Sequence, residues 1–258
     1  MDKVLKNNGY IPNINNNEER KDLAAAFRWS ERSNLHEAVA NHFSLAVNPE
    51  GTKFLMNPNM WHFSRIKASD LLLLDVNDNS VLDKQNAPDA TAWGLHGAIH
   101  KMCPHARCIM HVHSVFATAL ASLEDCILPP INQVASIFFG RQIADKQYGG
   151  LAFEEEGARC AKLLSNPLKH TMIMGNHGVL IFGKNVAETF NRLFYFERAA
   201  KIYINALQTG KELSIIDDIT AEKTANELDN EEFPNPAGTA FLREIRLILD
   251  QENSNYKD

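Results

Sequence analysis

Cysteine is scarce in this chain, charge of one sign is scarce, and long hydrophobic runs are absent; each shortage excludes something. The four cysteines, Cys103, Cys108, Cys126 and Cys160, fall at irregular intervals with no Cys-x-x-Cys pair. A structural zinc knuckle or a thioredoxin-type motif is thereby excluded, and free, buried or half-buried thiols are expected. The formal net charge is -6, from 26 Lys and Arg against 32 Asp and Glu. No basic block interrupts that balance, so nucleic acid is not an expected partner. No apolar stretch approaches the ~18 residues of a membrane span. The opening residues, MDKVLKNNGYIPNINNNEER, carry no apolar segment of the kind a secretory leader needs. A cytoplasmic protein with no membrane partner is the expectation. What is present is an ordinary globular composition, 45% hydrophobic and 22% charged over 258 residues, sufficient for one large α/β domain.

Along the chain, the asparagine-rich stretch 7–17 has no periodicity and reads as part of a flexible N-terminal arm, 1–17. A single domain is expected over 18–250, followed by a polar tail at 251–258. Helical spacing appears at 18–32, 92–102, 116–123, 153–166, 186–208 and 240–250. The longest of these has Asn185 as a cap, Glu188 in a capping-box position and Gly210 beyond its end. Short strands are read at 43–47, 53–57, 70–76 and 108–115, around 136–140, and on both sides of Gly175-Asn176-His177-Gly178. The acidic run at 153–157 reads as a solvated first helical turn that complements the helix dipole.

One strand carries the chemistry. Residues 108–114 read CIMHVHS, and on a strand His111 and His113 would share a face, roughly 7 Å apart at the backbone. His177, between glycines, would add a third imidazole and complete a set that leaves open coordination positions on a metal ion. Read from spacing alone, the same histidines also fit polar groups satisfied at a sheet face.

The runs AWGLHGAIHKMCPHARCIMHVHSVFATALASL and MIMGNHGVLIFGKNVAETFNRLFYFERAAKIY, with the earlier NHFSLAV and KFLMNP, resemble the class II aldolase and adducin head family from about residue 20 to residue 210. The resemblance implies a three-layer α/β/α sandwich on a mainly antiparallel central sheet, assembled as a homotetramer with sites at subunit interfaces. It also implies a divalent metal on His111, His113 and His177, most often zinc, with manganese or ferrous iron as alternatives. Such an ion would polarise a carbonyl so that an enediolate is stabilised as a C–C bond breaks.

Departures from the family pattern matter equally. Where its sugar-phosphate aldolases carry a serine pair and then a glutamate base, this chain has Ala90, Thr91 and Ala92. Asn41 and His42 replace a glycine-asparagine phosphate loop, and NPNM stands where a Thr-Gly pair would be. A typical sugar-phosphate aldolase is therefore not expected. LHGAIH resembles the adducin-like branch instead. The expected activity is a metal-dependent lyase, aldolase or decarboxylase, acting on a small hydroxy or oxo acid or carbonyl compound. A non-haem iron oxygenase and a non-enzymatic adducin-like assembly module are the alternatives. Candidates for proton transfer are His100, one helical turn from His96 on the 92–102 helix; Asp89, which also fits a helix cap; and Tyr256, which resembles in position a tyrosine that some family aldolases bring into a neighbouring subunit's site.

Overall fold

The computed structural model describes residues 16–147, 154–229 and 237–258; most of the expected N-terminal arm lies outside the described residues. The first helix, α1 (Asn17–Arg32), leads to strands β1 (His42–Ala46), β2 (Lys53–Met56) and β3 (Leu72–Asp75). Then follow α2 (Ala90–Met102), β4 (Cys108–Val112), α3 (Val115–Ala121), α4 (Gln133–Ser136), β5 (Gln142–Asp145) and α5 (Glu154–Leu163). The chain continues through β6 (Thr171–Met174), β7 (Gly178–Gly183), α6 (Val186–Leu207), α7 (Asp218–Asp229) and α8 (Ala237–Gln251). The seven strands form one sheet in the order β3-β2-β1-β4-β7-β6-β5. Each pairing is antiparallel except β5 with β6.

The period-2 alternation of the central strands decides the layers. Cys108, Met110 and Val112 of β4, with Val179 and Ile181 of β7, face a core completed by α1, α3, α6 and α8. Ile109, Leu180, Phe182, Met172 and Met174 face the opposite way, against Leu95 and Ile99 of α2, Cys160 and Ala161 of α5 and Leu164 just beyond it. The result is the expected three-layer α/β/α sandwich, mainly antiparallel. His111, two residues from Ile109, belongs on the α2 side of the sheet.

Local chemistry sets the element ends. Asn185 Oδ1 accepts from Glu188 N at 2.9 Å, and Glu188 Oε2 accepts in return from Lys184 N at 2.7 Å. Gly51, at φ +66°, packs where an added Cβ would stand 2.0 Å from the His100 carbonyl oxygen, so only glycine lets the β1–β2 turn meet the end of α2. No helix among the described residues is long and apolar enough to cross a membrane. All four cysteines are buried and free, and burial pushes the Cys108 and Cys160 thiols up to about 12.

Two expectations are corrected, and one helix gave no sequence signal. The stretch 136–140 is not a strand: it closes α4 with turns such as Phe138 N to Ala135 O at 3.0 Å, and the strand is the following QIAD. The 211–217 stretch leads into α7, whose only buried residues, Ala221 and Ala225, are too small a stripe to mark a helix by periodicity. The terminal residues do not form a loose tail. Asn255–Lys257 make a 3-10 turn, Tyr256 is fully buried, and Ser69 N donates to the Asp258 carbonyl at 2.8 Å.

Candidate metal centre

His111 lies on central strand β4 between β1 and β7, opposite His42 in one direction and Leu180 in the other. His113 stands just past the strand's end. His177 comes from the β6–β7 turn, where Asn176 takes the left-handed conformation at φ +57° and the His177 N–H bonds the Met174 carbonyl at 3.0 Å. Gly178 makes the approach possible, because a Cβ there would meet Val112 O at 2.5 Å and His113 Cδ2 at 2.9 Å. The three rings converge, with centroids 4.6 to 4.8 Å apart, and one nitrogen from each lies within 4.8 Å of the others. They form a possible metal site.

Hydrogen-bond polarity tests whether a cation fits there. The Val179 carbonyl, 3.1 Å from His111 Nδ1, can only accept, so that nitrogen carries the hydrogen and Nε2 is a lone pair. The Glu37 carboxylate, 2.6 Å from His113 Nδ1, imposes the same tautomer on His113. The two Nε2 atoms are nonetheless only 2.8 Å apart. Two lone pairs at that distance repel unless positive charge sits between them, so the donor set fits a divalent metal ion. Burial holds the His111 imidazole well below its usual basicity and brings His177 down to about 4, which keeps both in the neutral, ligating form.

Behind this cluster runs a second histidine chain. His42 stacks on His111 at 4.8 Å, and its Nδ1 lies 2.7 Å from His96 Nε2. Ser44 Oγ bridges His96 Nδ1 at 2.5 Å and His100 Nε2 at 2.7 Å, while His100 Nδ1 meets the Ala106 carbonyl at 2.8 Å. Burial pulls His42 and His100 down to about 3 and His96 well below its usual value, so all three are neutral. Each proton then has one place. Ala106 O accepts from His100 Nδ1, His100 Nε2 from the Ser44 hydroxyl, Ser44 Oγ from His96 Nδ1, and His96 Nε2 from His42 Nδ1.

A cavity of about 220 Å³ opens on the cluster, lined by His42, His111, His113 and His177 together with Asn41, Asn57, Asn59, Asp89, Thr91 and Glu156 among others. Of the residues expected from sequence, the structure thus brings His111, His113, His177 and Asp89 to one space. Asp89 is also the cap of α2, its Oδ1 accepting from Ala92 N at 2.9 Å and from the Thr91 hydroxyl. His100 does not line the cavity and reaches it only through Ser44, His96 and His42. Tyr256 is not there either: it is buried in the core with α1 and α8. Sequence reasoning missed Glu37 and His42 and treated Glu156 as solvated, although it is half-buried in the cavity wall.

The profile of the Class II Aldolase and Adducin N-terminal domain matches residues 21–204. A Pseudomonas aeruginosa protein, named provisionally as an aldolase class 2 protein, is 29% identical over 195 residues, covering 75% of this chain and 73% of that one. Alpha-adducin of Rattus norvegicus is 26% identical over 191 residues; the match covers 73% of this chain but only 25% of the adducin. The crystal structure of an aldolase II superfamily protein from Pseudomonas syringae superposes with a TM-score of 0.82 at 26% identity, covering 94% of this chain and 96% of that one. An L-fuculose 1-phosphate aldolase from Glaciozyma antarctica shares the fold, with a TM-score of 0.80 at 22% identity and coverage of 97% and 96%. On the extent of the profile match, the chain belongs to the class II aldolase and adducin N-terminal domain family.

Proposed function

We propose that the protein is a divalent-metal-dependent lyase that cleaves or forms a C–C bond in a small hydroxy or oxo acid or carbonyl compound, with His111, His113 and His177 holding the ion and zinc as its usual occupant. The observation that carries this reading is the pair of opposed lone pairs, His111 Nε2 and His113 Nε2 at 2.8 Å. When bound, the ion supplies Lewis-acid chemistry, drawing electron density from a substrate carbonyl. The chain's own groups do the rest. Val179 O and Glu37 fix the tautomers of His111 and His113; Asn41, Asn59 and Thr91 offer amide and hydroxyl contacts to a hydroxylated substrate, and Asn57 is already bonded to Phe43 N and to the Asn41 and Pro58 carbonyls.

Ala90 and Thr91 stand where the family's sugar-phosphate aldolases carry a serine pair, which supports a substrate other than a typical sugar phosphate. The oxygenase reading needs a carboxylate ligand beside two histidines, whereas Glu37 is bonded to His113 Nδ1, not to the side that faces His111. A homotetramer in the cytoplasm, with residues of a neighbouring copy completing the cavity, fits the reading. Elemental analysis of the wild type beside His111→Ala and His177→Ala, with folding followed by circular dichroism, tests it. About one zinc per chain, lost in folded variants, is expected, together with aldehyde or carbon dioxide release from a panel of hydroxy and oxo acids. A metal-supplemented wild type that binds no ion would overturn the reading.

A further inference from the structure

Three carboxylates stand at or beside the cavity, and two are engaged. Glu37 is bonded to His113 Nδ1 at 2.6 Å. Asp89 Oδ1 holds the first turn of α2 through Ala92 N and the Thr91 hydroxyl. Glu156, on α5, differs. Its side chain is 11% exposed, and its nearest ionic partner, Arg159, is 3.8 Å away and already paired with Asp145.

Small residues on the facing helices bring this carboxylate to the cavity. A Cβ on Gly157 would stand 2.8 Å from Gly94 O and 3.0 Å from Ala98 Cβ, so α5 crosses α2 closely because position 157 is glycine. The neighbouring Glu156 then shares the cavity wall with Thr91 and Leu95 of α2, and with the three metal-site histidines. At position 92 on α2 the side chain is only a buried methyl group.

We propose that Glu156 is the proton-transfer residue of this site, acting at the carbon next to the carbonyl of a small hydroxycarbonyl substrate; this rests on the metal-dependent lyase reading. The carboxylate oxygen takes the proton from that C–H bond. The bond's electron pair becomes the C=C of the enediolate as the carbonyl pair moves onto oxygen. In the reverse direction the Glu156 carboxyl returns its proton to carbon, and no oxidant or reductant is needed. Burial raises the Glu156 carboxyl above its usual range, with Arg159 opposing and Asp145 adding to the rise; a carboxylate of raised basicity is better matched to taking a proton near neutral pH.

The test uses zinc-loaded wild type, Glu156→Gln and Glu156→Ala, each assayed for metal content and for deuterium uptake from D2O into hydroxyacetone, dihydroxyacetone and pyruvate by proton NMR. Wild type should exchange at least one of these probes. Glu156→Gln should keep its zinc and exchange at least ~100-fold more slowly. Glu156→Ala should recover exchange in proportion to added formate, as a missing base permits and a merely structural glutamate does not. Exchange in Glu156→Gln within about threefold of wild type would overturn the assignment while leaving the lyase reading intact. Should the glutamine variant fail to fold, the alanine variant decides: loss of exchange that formate does not restore overturns the assignment. Zinc-bound wild type that exchanges none of the probes would overturn both.

Discussion

Ser44→Ala removes one oxygen atom and breaks the middle of the buried histidine chain. The Ser44 side chain is fully buried, donates to His100 Nε2 at 2.7 Å and accepts from His96 Nδ1 at 2.5 Å. Neither imidazole can turn to a new partner, because His100 Nδ1 is held by the Ala106 carbonyl and His96 Nε2 by His42. The variant therefore leaves one buried donor and one buried acceptor unmet, at about 1–3 kcal/mol each. A loss of about 2–6 kcal/mol is a large part of a typical folding free energy, and at roughly 2–4 °C per kcal/mol it lowers Tm by about 4–24 °C. Ser30→Ala is the control. Ser30 is equally buried, but among the described residues its hydroxyl has no hydrogen-bond partner, so its removal should be neutral or stabilising. Urea and thermal unfolding of the two variants measure the difference, and nitrogen-15 NMR of the imidazoles reads the tautomers, expected as Nδ1–H on His42, His96 and His100. A Ser44→Ala loss below about 1 kcal/mol, or a His100 found as Nε2–H, would refute the chain as drawn.

Glu37→Ala should weaken metal binding about 10–100-fold, since it frees the His113 ring from its orienting carboxylate; chelator competition measures this, and an unchanged affinity would count against Glu37 as a positioning group. Acid should destabilise the fold below about pH 6.5. The unfolded chain protonates its histidines there while His100, with its value lowered to about 3, and His96 stay neutral, so their contribution is complete above 6.5 and lost as pH falls toward 3. Each histidine accounts for up to about 1.4 kcal/mol per pH unit, visible as a drop in the urea midpoint between pH 7 and pH 5; a flat profile would contradict it. Arg141→Met should cost about 1–3 kcal/mol, because the buried guanidinium donates to Asn226 and pairs with Glu222 and Asp229, which stay partly exposed and can be hydrated when it is removed. Amide exchange should quicken in α7 before it does in the central strands, and a variant with protected α7 amides would refute this.

Period-2 alternation on β4, β6 and β7, together with the caps on α6, made the centre of the sandwich legible from sequence, because those signals are local. The His111 and His113 pair was legible for the same reason; His177 stood out by its flanking glycines, and the family likeness strengthened it as a ligand. Glu37 was not: it reaches His113 across 76 positions of chain, and nothing near it distinguishes it from a solvated loop glutamate. Glu156 was misjudged because a helix's first turn is where acids are ordinarily solvated, and only the glycine crossing with α2 turns it inward. Tyr256 was misplaced because a polar terminal octet gives no local sign of docking, yet α1 and α8 form a slot that buries its ring. The stretch 136–140 was misread because three large apolar residues in a row satisfy a strand pattern and a buried turn equally well.

The backbone carbonyl of Ala106, outside the cavity, gives the histidine chain a direction. Because that oxygen can only accept, every hydrogen between it and the cavity is oriented in one sense, and the last ring, His42, is left with a bare Nε2. A group that meets His42 at the cavity wall must bring its own hydrogen. Hydroxyls qualify; ionised carboxylates and phosphate oxygens do not. The hydrogen polarity that His42 presents to the cavity is thus set by a peptide bond at the far end of α2, and a change in the 103–107 loop that withdrew that oxygen would let the rings reverse and invert that polarity without altering any residue that lines the cavity.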